Sequence, residues 1–361
     1  MKTRLWLNSI VKNEAVNLPR MLKAVEPAIQ GAAITDTGST DETIPLLEEF
    51  FRQAGKPLHL HRCEFIDFAQ ARNEGLRHAR SLREHWDYIL LCDADMELIV
   101  EQPLPPLTVG IHALMQDNKT VKYWNCRLLR HDVTIEYVGR THECLTATEP
   151  PVALGGWWFR DHETGANRTR KYLRDIELLT LELRDDPTNP RHVFYMIQSL
   201  FGAGMLEKAR EFCEFRLELG GLDEERYWTT LQMARFDELL ERTPERIIRE
   251  YLAAYELRPT RAEPLLHLAA FLRRNGDHQS ALLFARQAAT LPYPNEVLPV
   301  ETDVYTWKAL DEWLGCAIVC DALQEAKTAA KRLQKASLPE SERERVLSNA
   351  ALVLKLKGKG K

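Results

Sequence analysis

The hydrophobic period of this chain changes near residue 168, and that change constrains its fold more than any other feature. Before it, the short apolar runs Leu5-Trp6-Leu7, Ala32-Ala33-Ile34 and Tyr88-Ile89-Leu90-Leu91-Cys92 stand between polar turns and a helically spaced set, Leu18, Met21, Leu22 and Val25. Strands alternating with helices build an α/β layer. After it, Gly becomes rarer, Leu, Ala, Glu and Arg dominate, and apolar residues recur at i, i+3 and i+4, the period of amphipathic helices. The pattern predicts an α/β domain over 1–167 and an all-α domain over 168–361. With 361 residues, 45% of them apolar, the chain has material for two cores.

The helical half repeats itself. Gly204 is followed five residues later by Ala209, and Gly276 five residues later by Ala281, each Gly closing one helix and each Ala opening the packed face of the next. Between them a helix over 245–258 stops at Pro259 and puts Ile247 at the equivalent place. Ala209 to Ile247 is 38 residues and Ile247 to Ala281 is 34, near the tetratricopeptide period of about 34. The expectation is a short array of degenerate helical hairpins, with 303–356 as further capping helices. Such an array offers a groove to an extended acceptor, or pairs two copies of the chain as a homodimer.

The apolar run 88–92 ends in Asp93-Ala94-Asp95. Carboxylates at i and i+2 leave a strand on the same side, so both reach one hard divalent cation that also holds a diphosphate. That is the chemistry of a nucleotide-sugar site. A strand end with solvated acids is the plainer reading of the tripeptide alone, and the segments upstream weigh against it. Leu5-Trp6-Leu7 runs into Ser9-Ile10-Val11-Lys12-Asn13-Glu14, a strand feeding a helix through a polar turn. Ala32 to Asp36 ends in an acid able to accept from a base N–H or a ribose hydroxyl, followed by Gly38 and by Ser39 or Thr40 as N-cap of the next helix. Phe68 to Leu76 sets the Arg72 guanidinium at a helix start, suited to bidentate pairing with a phosphate.

Lys12-Asn13-Glu14, then Asp36-Thr37-Gly38-Ser39-Thr40-Asp41, then Ala71-Arg72-Asn73-Glu74-Gly75, then Asp93-Ala94-Asp95 follow one another over roughly the first hundred residues. In that order they resemble the family 2 glycosyltransferases of GT-A fold. The helical half narrows the resemblance to repeat-containing members, which include bacterial and phage enzymes and peptide S-glycosyltransferases. The resemblance implies a metal-dependent, inverting transfer of a sugar from a nucleotide-diphosphate sugar, a UDP-hexose above others, to a hydroxyl or thiol. The acceptor so implied is macromolecular, a peptide, protein or glycan, and the cofactor is Mn2+ or Mg2+.

By the same resemblance Asn13, Glu14, Asp36, Ser39, Arg72, Asn73 and Asp93 line the nucleotide-sugar site, with Glu14 and Asp36 on the uracil and ribose and Arg72 near the diphosphate. Asp95 matches the direct metal ligand, Asp93 contacts ribose or metal, and His162 resembles the late histidine that closes the metal shell through a neutral imidazole nitrogen. Thr35 stands where many relatives carry an acid or Val, which leaves the donor nucleotide open.

Inverting transfer also needs a base on the acceptor side of the anomeric carbon. Gly139-Arg140-Thr141-His142-Glu143 and Trp157-Trp158-Phe159-Arg160-Asp161-His162 supply the candidates. Glu143 resembles the Glu of a His-Glu motif that deprotonates the acceptor, and Asp161 is the reserve for either role. The alternatives are a surface strand acid at 143, a structural histidine at 142 and a loop-capping histidine at 162.

No apolar stretch approaches the roughly 18 residues of a membrane span, and Met1 to Leu5 passes into the first strand without a signal-peptide core, so a cytoplasmic location is expected. Seven cysteines, odd in number and without a CxxC pair, read as reduced thiols. Two rival readings remain. One is transfer to hydroxymethylated bases of DNA, with Arg168-Thr169-Arg170-Lys171 and the stretch Arg242 to Arg249 on phosphates, which a net charge of -5 opposes. The other is an inactive GT-A scaffold used as a binding module, against which the intact Asp93, Asp95, Arg72 and Glu143 argue.

Overall fold

A computed structural model describes residues 3–118, 122–147, 149–162, 168–294, 296 and 300–356. The chain forms two compact units, Met1–Pro187 and Thr188–Lys361.

In the first unit β1 (Leu5–Val11), α1 (Leu18–Val25), β2 (Gly31–Asp36), α2 (Thr43–Ala54), β3 (Leu58–Arg62), α3 (Phe68–Ser81) and β4 (Tyr88–Leu91) alternate, and the four strands run parallel. They join β5 (Met96–Val100), β6 (Ile111–Asp117), β7 (Lys122–Arg130) and β10 (Val152–Asp161) in an eight-stranded mixed sheet of order β3-β2-β1-β4-β7-β6-β10-β5. A separate hairpin pairs β8 (Ile135–Val138) with β9 (Cys144–Ala147). Leu7, Leu90, Leu114 and Phe159 bury one face of the sheet with Leu18, Leu22 and Leu47. Trp6, Ile89 and Leu129 bury the other with Leu76 and Ala79 of α3. Covered on both sides, the central strands read as continuous apolar runs.

Strand order reverses between β1 and β4, which opens a crevice at their carboxyl ends, the place where open α/β sheets bind ligands. Helix α3 is drawn close to this crevice by Gly75, where an added Cβ would stand 3.2 Å from Thr35 Oγ1. Asn8 Nδ2 donates to the Gly75 carbonyl at 3.2 Å and to the Ala33 carbonyl at 2.9 Å, fixing helix, β1 and β2 together.

Two expectations shift. Helix α2 begins at Thr43 with Glu42 as its cap, not at Ser39 or Thr40, because those residues are spent on a turn described below. The helical composition starts at 168, yet the helix it opens, α4 (Arg168–Asp185), lies in the first compact unit. Packing and composition divide the chain about 20 residues apart (187 against 167).

The second unit stacks helical hairpins: α5 (Pro190–Gly202) with α6 (Leu206–Glu218), α7 (Asp223–Leu239) with α8 (Pro244–Leu257), α9 (Glu263–Arg274) with α10 (His278–Ala288), and α11 (Ala309–Val319) with α12 (Leu323–Leu333), closed by α13 (Glu340–Lys355). Gly204 and Gly276 take φ of 77° and 85° in the hairpin turns, a region open to Gly at little cost. Ala209, Ile247 and Ala281 are all buried at the packed positions their spacing predicts. Polar groups are buried here too: Asp237, fully enclosed, accepts from Arg210 Nε at 2.9 Å and Arg246 Nε at 2.5 Å, and Arg210 Nη2 also donates to Glu250 at 2.9 Å. This network crosses α6, α7 and α8. Among the described residues no helix is long and apolar enough to cross a membrane, and the seven cysteines are free.

Candidate active site

Two loops interlock at the ends of β1 and β2. Asn13 holds the left-handed conformation, φ 57°, which Asn tolerates better than most side chains. Its Oδ1 accepts from the Thr40 N–H at 2.7 Å, and its own N–H donates to Ser39 Oγ at 3.0 Å. Asp36 Oδ1 accepts from the Ser39 N–H at 3.0 Å, an Asx-type turn. Glu14 donates its N–H to Thr43 Oγ1 at 2.7 Å, and its Oε2 accepts from Asn17 Nδ2 at 2.8 Å. Asn13 and Ser39 therefore shape the loops, while Asp36 and Glu14 stand at the strand ends. Burial, foremost, raises the Glu14 carboxyl above its ordinary value.

At the end of β4 the two acids of Asp93-Ala94-Asp95 differ in partners. Asp93 is clamped by two guanidinium groups, Arg72 Nη1 at 2.8 Å and Arg127 Nη1 at 3.2 Å. Burial alone would raise its pKa, but the two arginines outweigh it and hold the carboxyl well below the usual range. Asp95 has the opposite surroundings: burial, then Asp161, Asp93 and Glu14, push it up to about 6. Its carbonyl accepts from Arg20 Nη2 at 3.3 Å and from the His162 N–H at 3.2 Å.

Arg127 is the site residue that the motifs do not show. It is 5% exposed. In β7, Leu128 faces His112 and Cys126 faces Ala113, so Arg127 is the extra residue of a β-bulge, a device that re-aims a side chain. Its Nη2 donates to Gln116 Oε1 at 2.9 Å, and Gln116 Nε2 donates to Asp161 Oδ2 at 3.1 Å. A polar chain thus runs from Asp93 to Asp161. The available signal was a cation inside the apolar strand Cys126-Arg127-Leu128-Leu129, since a buried arginine must find an acid.

Arg72 is shared. Besides Asp93, its Nε donates to Glu143 Oε1 at 2.5 Å, and the guanidinium lies 5.5 Å from the Tyr137 ring centroid. Burial opposes its charge, but Asp93 and Glu143 more than compensate and raise its pKa above the ordinary value. Asn73, one residue on, does not face the crevice with Arg72: its Nδ2 donates to the Tyr137 carbonyl at 2.9 Å and its Oδ1 accepts from the Tyr137 N–H at 2.8 Å. It thereby fixes the hairpin whose β8–β9 turn carries Glu143. His162 turns its Nε2 to Glu97 Oε2 at 2.8 Å, so its imidazole is engaged there, while Asp161 bonds to Gln116.

Among the described residues no three His, Cys, Asp or Glu side chains are grouped to hold a metal unaided. Divalent ions that act on nucleotides take one or two carboxylates and complete their shell with phosphates and water. Asp95 fits that donor set: after burial, the largest influences on it are the neighbouring acids Asp161, Asp93 and Glu14, surroundings that favour a cation. Asp93 fits it less, its charge being met by two arginines.

Residues 10–107 match the model of the family "Glycosyl transferase family 2". Over residues 10–107 the first unit is thus similar to family 2 glycosyltransferases, and the array of helical hairpins follows it in the chain. A TPR repeat-containing protein of Synechococcus elongatus is 40% identical over 92 residues, 26% of this chain and 20% of that protein. The match therefore spans one fifth of that relative's length. Among solved structures, MamA from Desulfovibrio magneticus is 15% identical with a TM-score of 0.36, covering 49% of this chain and 91% of that one. The C-terminal part of a TPR repeat-containing protein from Cytophaga hutchinsonii is 10% identical with a TM-score of 0.41, covering 51% and 66%.

Proposed function

We propose that this protein transfers a sugar from a nucleotide-diphosphate sugar, with UDP as the leading candidate, to a hydroxyl or thiol of a macromolecular acceptor, with inversion at the anomeric carbon. The observation that carries this reading is the convergence of Glu14, Asp36, Asp93, Asp95 and Arg72 at the carboxyl ends of β1, β2 and β4 and the start of α3. Glu14 and Asp36 present acceptor oxygens to base and ribose. Arg72 presents a guanidinium to the diphosphate. Asp95, with Asp161 beside it, would hold a Mn2+ or Mg2+ ion, which when bound neutralises the leaving diphosphate. Glu143 takes the acceptor proton, and the Asp93–Arg127–Gln116–Asp161 chain keeps the two acid centres in place. In the helical unit, α6, α7 and α8 line a cleft of about 760 Å³ that mixes Arg226, Arg249 and Glu256 with Leu217 and Met233, a surface suited to an extended peptide acceptor.

Two other readings are weighed by particular contacts. Transfer to DNA needs free cations, yet Arg242 pairs with Glu207 at 2.6 Å and Arg246 with Asp237 at 2.5 Å; the side chains of Arg168 and Arg170 lie outside the described residues. The inactive scaffold draws support from one fact, that Arg72 is already held by two carboxylates. Hydrolysis and transfer assays over a panel of UDP- and GDP-sugars, with Mn2+ and with EDTA, test the proposal. Donor turnover that depends on the metal supports it; no turnover or binding of any nucleotide sugar leaves the scaffold reading in its place.

A further inference from the structure

The shared arginine sets a problem for the proposed reaction, because Arg72 Nε holds Oε1 of Glu143 and ties the carboxylate to itself, leaving Oε2 alone to meet an acceptor's proton. We infer that the donor's diphosphate takes Glu143's place on Arg72, so that the whole carboxylate is released to turn to the acceptor once the donor is loaded. The inference rests on the proposed glycosyl transfer and assigns an order to its two binding events.

Four observations support the exchange. The side chains of Arg72 and Glu143 are 18% and 13% exposed, so their pairing is little screened by water and persists until another anion displaces it. Arg72 uses Nη1 for Asp93 and Nε for Glu143, so the two acids sit on different nitrogens and one can leave while the other stays. Asp93 keeps a second cation in Arg127, which secures it while Arg72 adjusts. Among the described residues, the cation paired with Glu143 is Arg72. A diphosphate carries more charge than one carboxylate and matches the planar guanidinium bidentately, so it is the stronger occupant.

The backbone around Glu143 suits a side-chain swing. The turn is held at its base by Asn73 on Tyr137, and by Phe68, whose N–H donates to the Arg140 carbonyl at 3.0 Å. At its tip Gly139 has φ 103° and His142 φ 50°, the latter a strained value for a non-Gly residue. Motion can therefore be confined to the Glu143 side chain. In the transfer itself the acceptor O–H or S–H proton passes to the freed Glu143, the acceptor atom bonds to the anomeric carbon, and the bond from that carbon to the diphosphate oxygen breaks with its electron pair leaving on the phosphate.

The test is equilibrium binding of UDP and of inorganic pyrophosphate, by calorimetry with Mg2+ present, to the full chain and to Glu143→Gln, Glu143→Asp, Arg72→Gln and the double variant Glu143→Gln/Arg72→Gln. Glu143→Gln keeps an oxygen for Arg72 Nε but removes the competing charge, so both probes should bind about tenfold more tightly than to wild type. The gain should vanish in the Arg72→Gln background, and Glu143→Asp should fall between. Wild type that binds the probes no more weakly than Glu143→Gln overturns the exchange while leaving the proposed function standing. Wild type and every variant failing to bind either probe overturns the proposed function, and the exchange with it.

Discussion

Thr141 Oγ1 donates to the buried carboxylate of Asp175 at 3.1 Å, tying the turn that carries Glu143 to helix α4. Glu182 accepts from the Arg140 N–H and Asp185 pairs with the Arg140 side chain at 3.1 Å, so three acids of one helix grip the same turn. A chain ending after Pro187 should therefore fold and hydrolyse nucleotide sugar slowly, whereas one ending after residue 167 should lose solubility or donor turnover, because its turn has lost its support. Expression, circular dichroism and donor hydrolysis of the two truncations check this. Equal behaviour would mean that α4 does not brace the turn. If the helical unit holds the acceptor, both truncations also lose transfer to it.

Asn73→Ala should act on chemistry more than on donor binding. The substitution leaves the N–H and carbonyl of Tyr137 without their side-chain partners, at a cost of about 1–3 kcal/mol. The β8–β9 hairpin then loosens, and Glu143 with it. In steady-state kinetics turnover should fall while the donor KM stays within about twofold. A raised donor KM with normal turnover would place Asn73 on the donor instead.

Asp93→Asn and Asp95→Asn should part company in stability. The first leaves Arg72 and Arg127 facing a neutral group in a buried site, where breaking a buried pair costs about 3–5 kcal/mol. The second relieves repulsion among four acids and should melt at or above the wild-type temperature while losing Mn2+-dependent UDP binding. Urea denaturation and calorimetry with UDP and Mn2+ read both effects. Arg127→Leu should cost less than Asp93→Asn, since Asp93 keeps its pair with Arg72.

Glu143→Gln should cut turnover by about 10^2 to 10^4, and the wild-type product should carry inverted anomeric configuration. Chiral analysis of the linkage together with rapid-quench kinetics checks this. Normal turnover in the variant would hand the role to Asp161, which lies at the end of β10 beside Asp95.

The helical unit should weaken as pH rises. Glu250, buried and beside Asp237, is raised by burial first and by that second acid to about 7. A folded-state pKa above the unfolded value means that protonation favours folding. The contribution is complete below about 4.5 and is lost as pH climbs through about 7. Between pH 5 and 8 the melting temperature of the helical unit should fall by roughly 2–4 °C per kcal/mol lost, and Glu250→Gln should flatten that slope. An unchanged slope would show that the pair titrates elsewhere.

The placement of the motif acids was legible because each follows a short apolar run that forms a strand, so Glu14, Asp36, Asp93 and Asp95 emerge at or just beyond strand ends. Arg72 was legible from its helix. Residue type did not tell which neighbour a polar side chain serves. Asn73 bonds to backbone 64 residues away, and His162 turns to Glu97 across a strand pair. Arg127 needed both a bulge and a partner 34 residues distant, neither of which leaves a local trace. The hairpin array was read correctly from Gly204, Gly276 and the buried face at Ala209, Ile247 and Ala281, because helix period and turn chemistry are local. The allegiance of α4 was not, since it depends on what Asp175 and Glu182 touch.

The interlocked loops of Asn13, Ser39 and Thr40 bear on any attempt to change the nucleotide specificity proposed for this protein. Each loop supplies the hydrogen bonds that shape the other, so a graft of residues 12–15 without 36–43 would import a conformation whose mould has been left behind. The two segments form one transplantable module, and variation in nucleotide choice should be sought in paired exchanges across both.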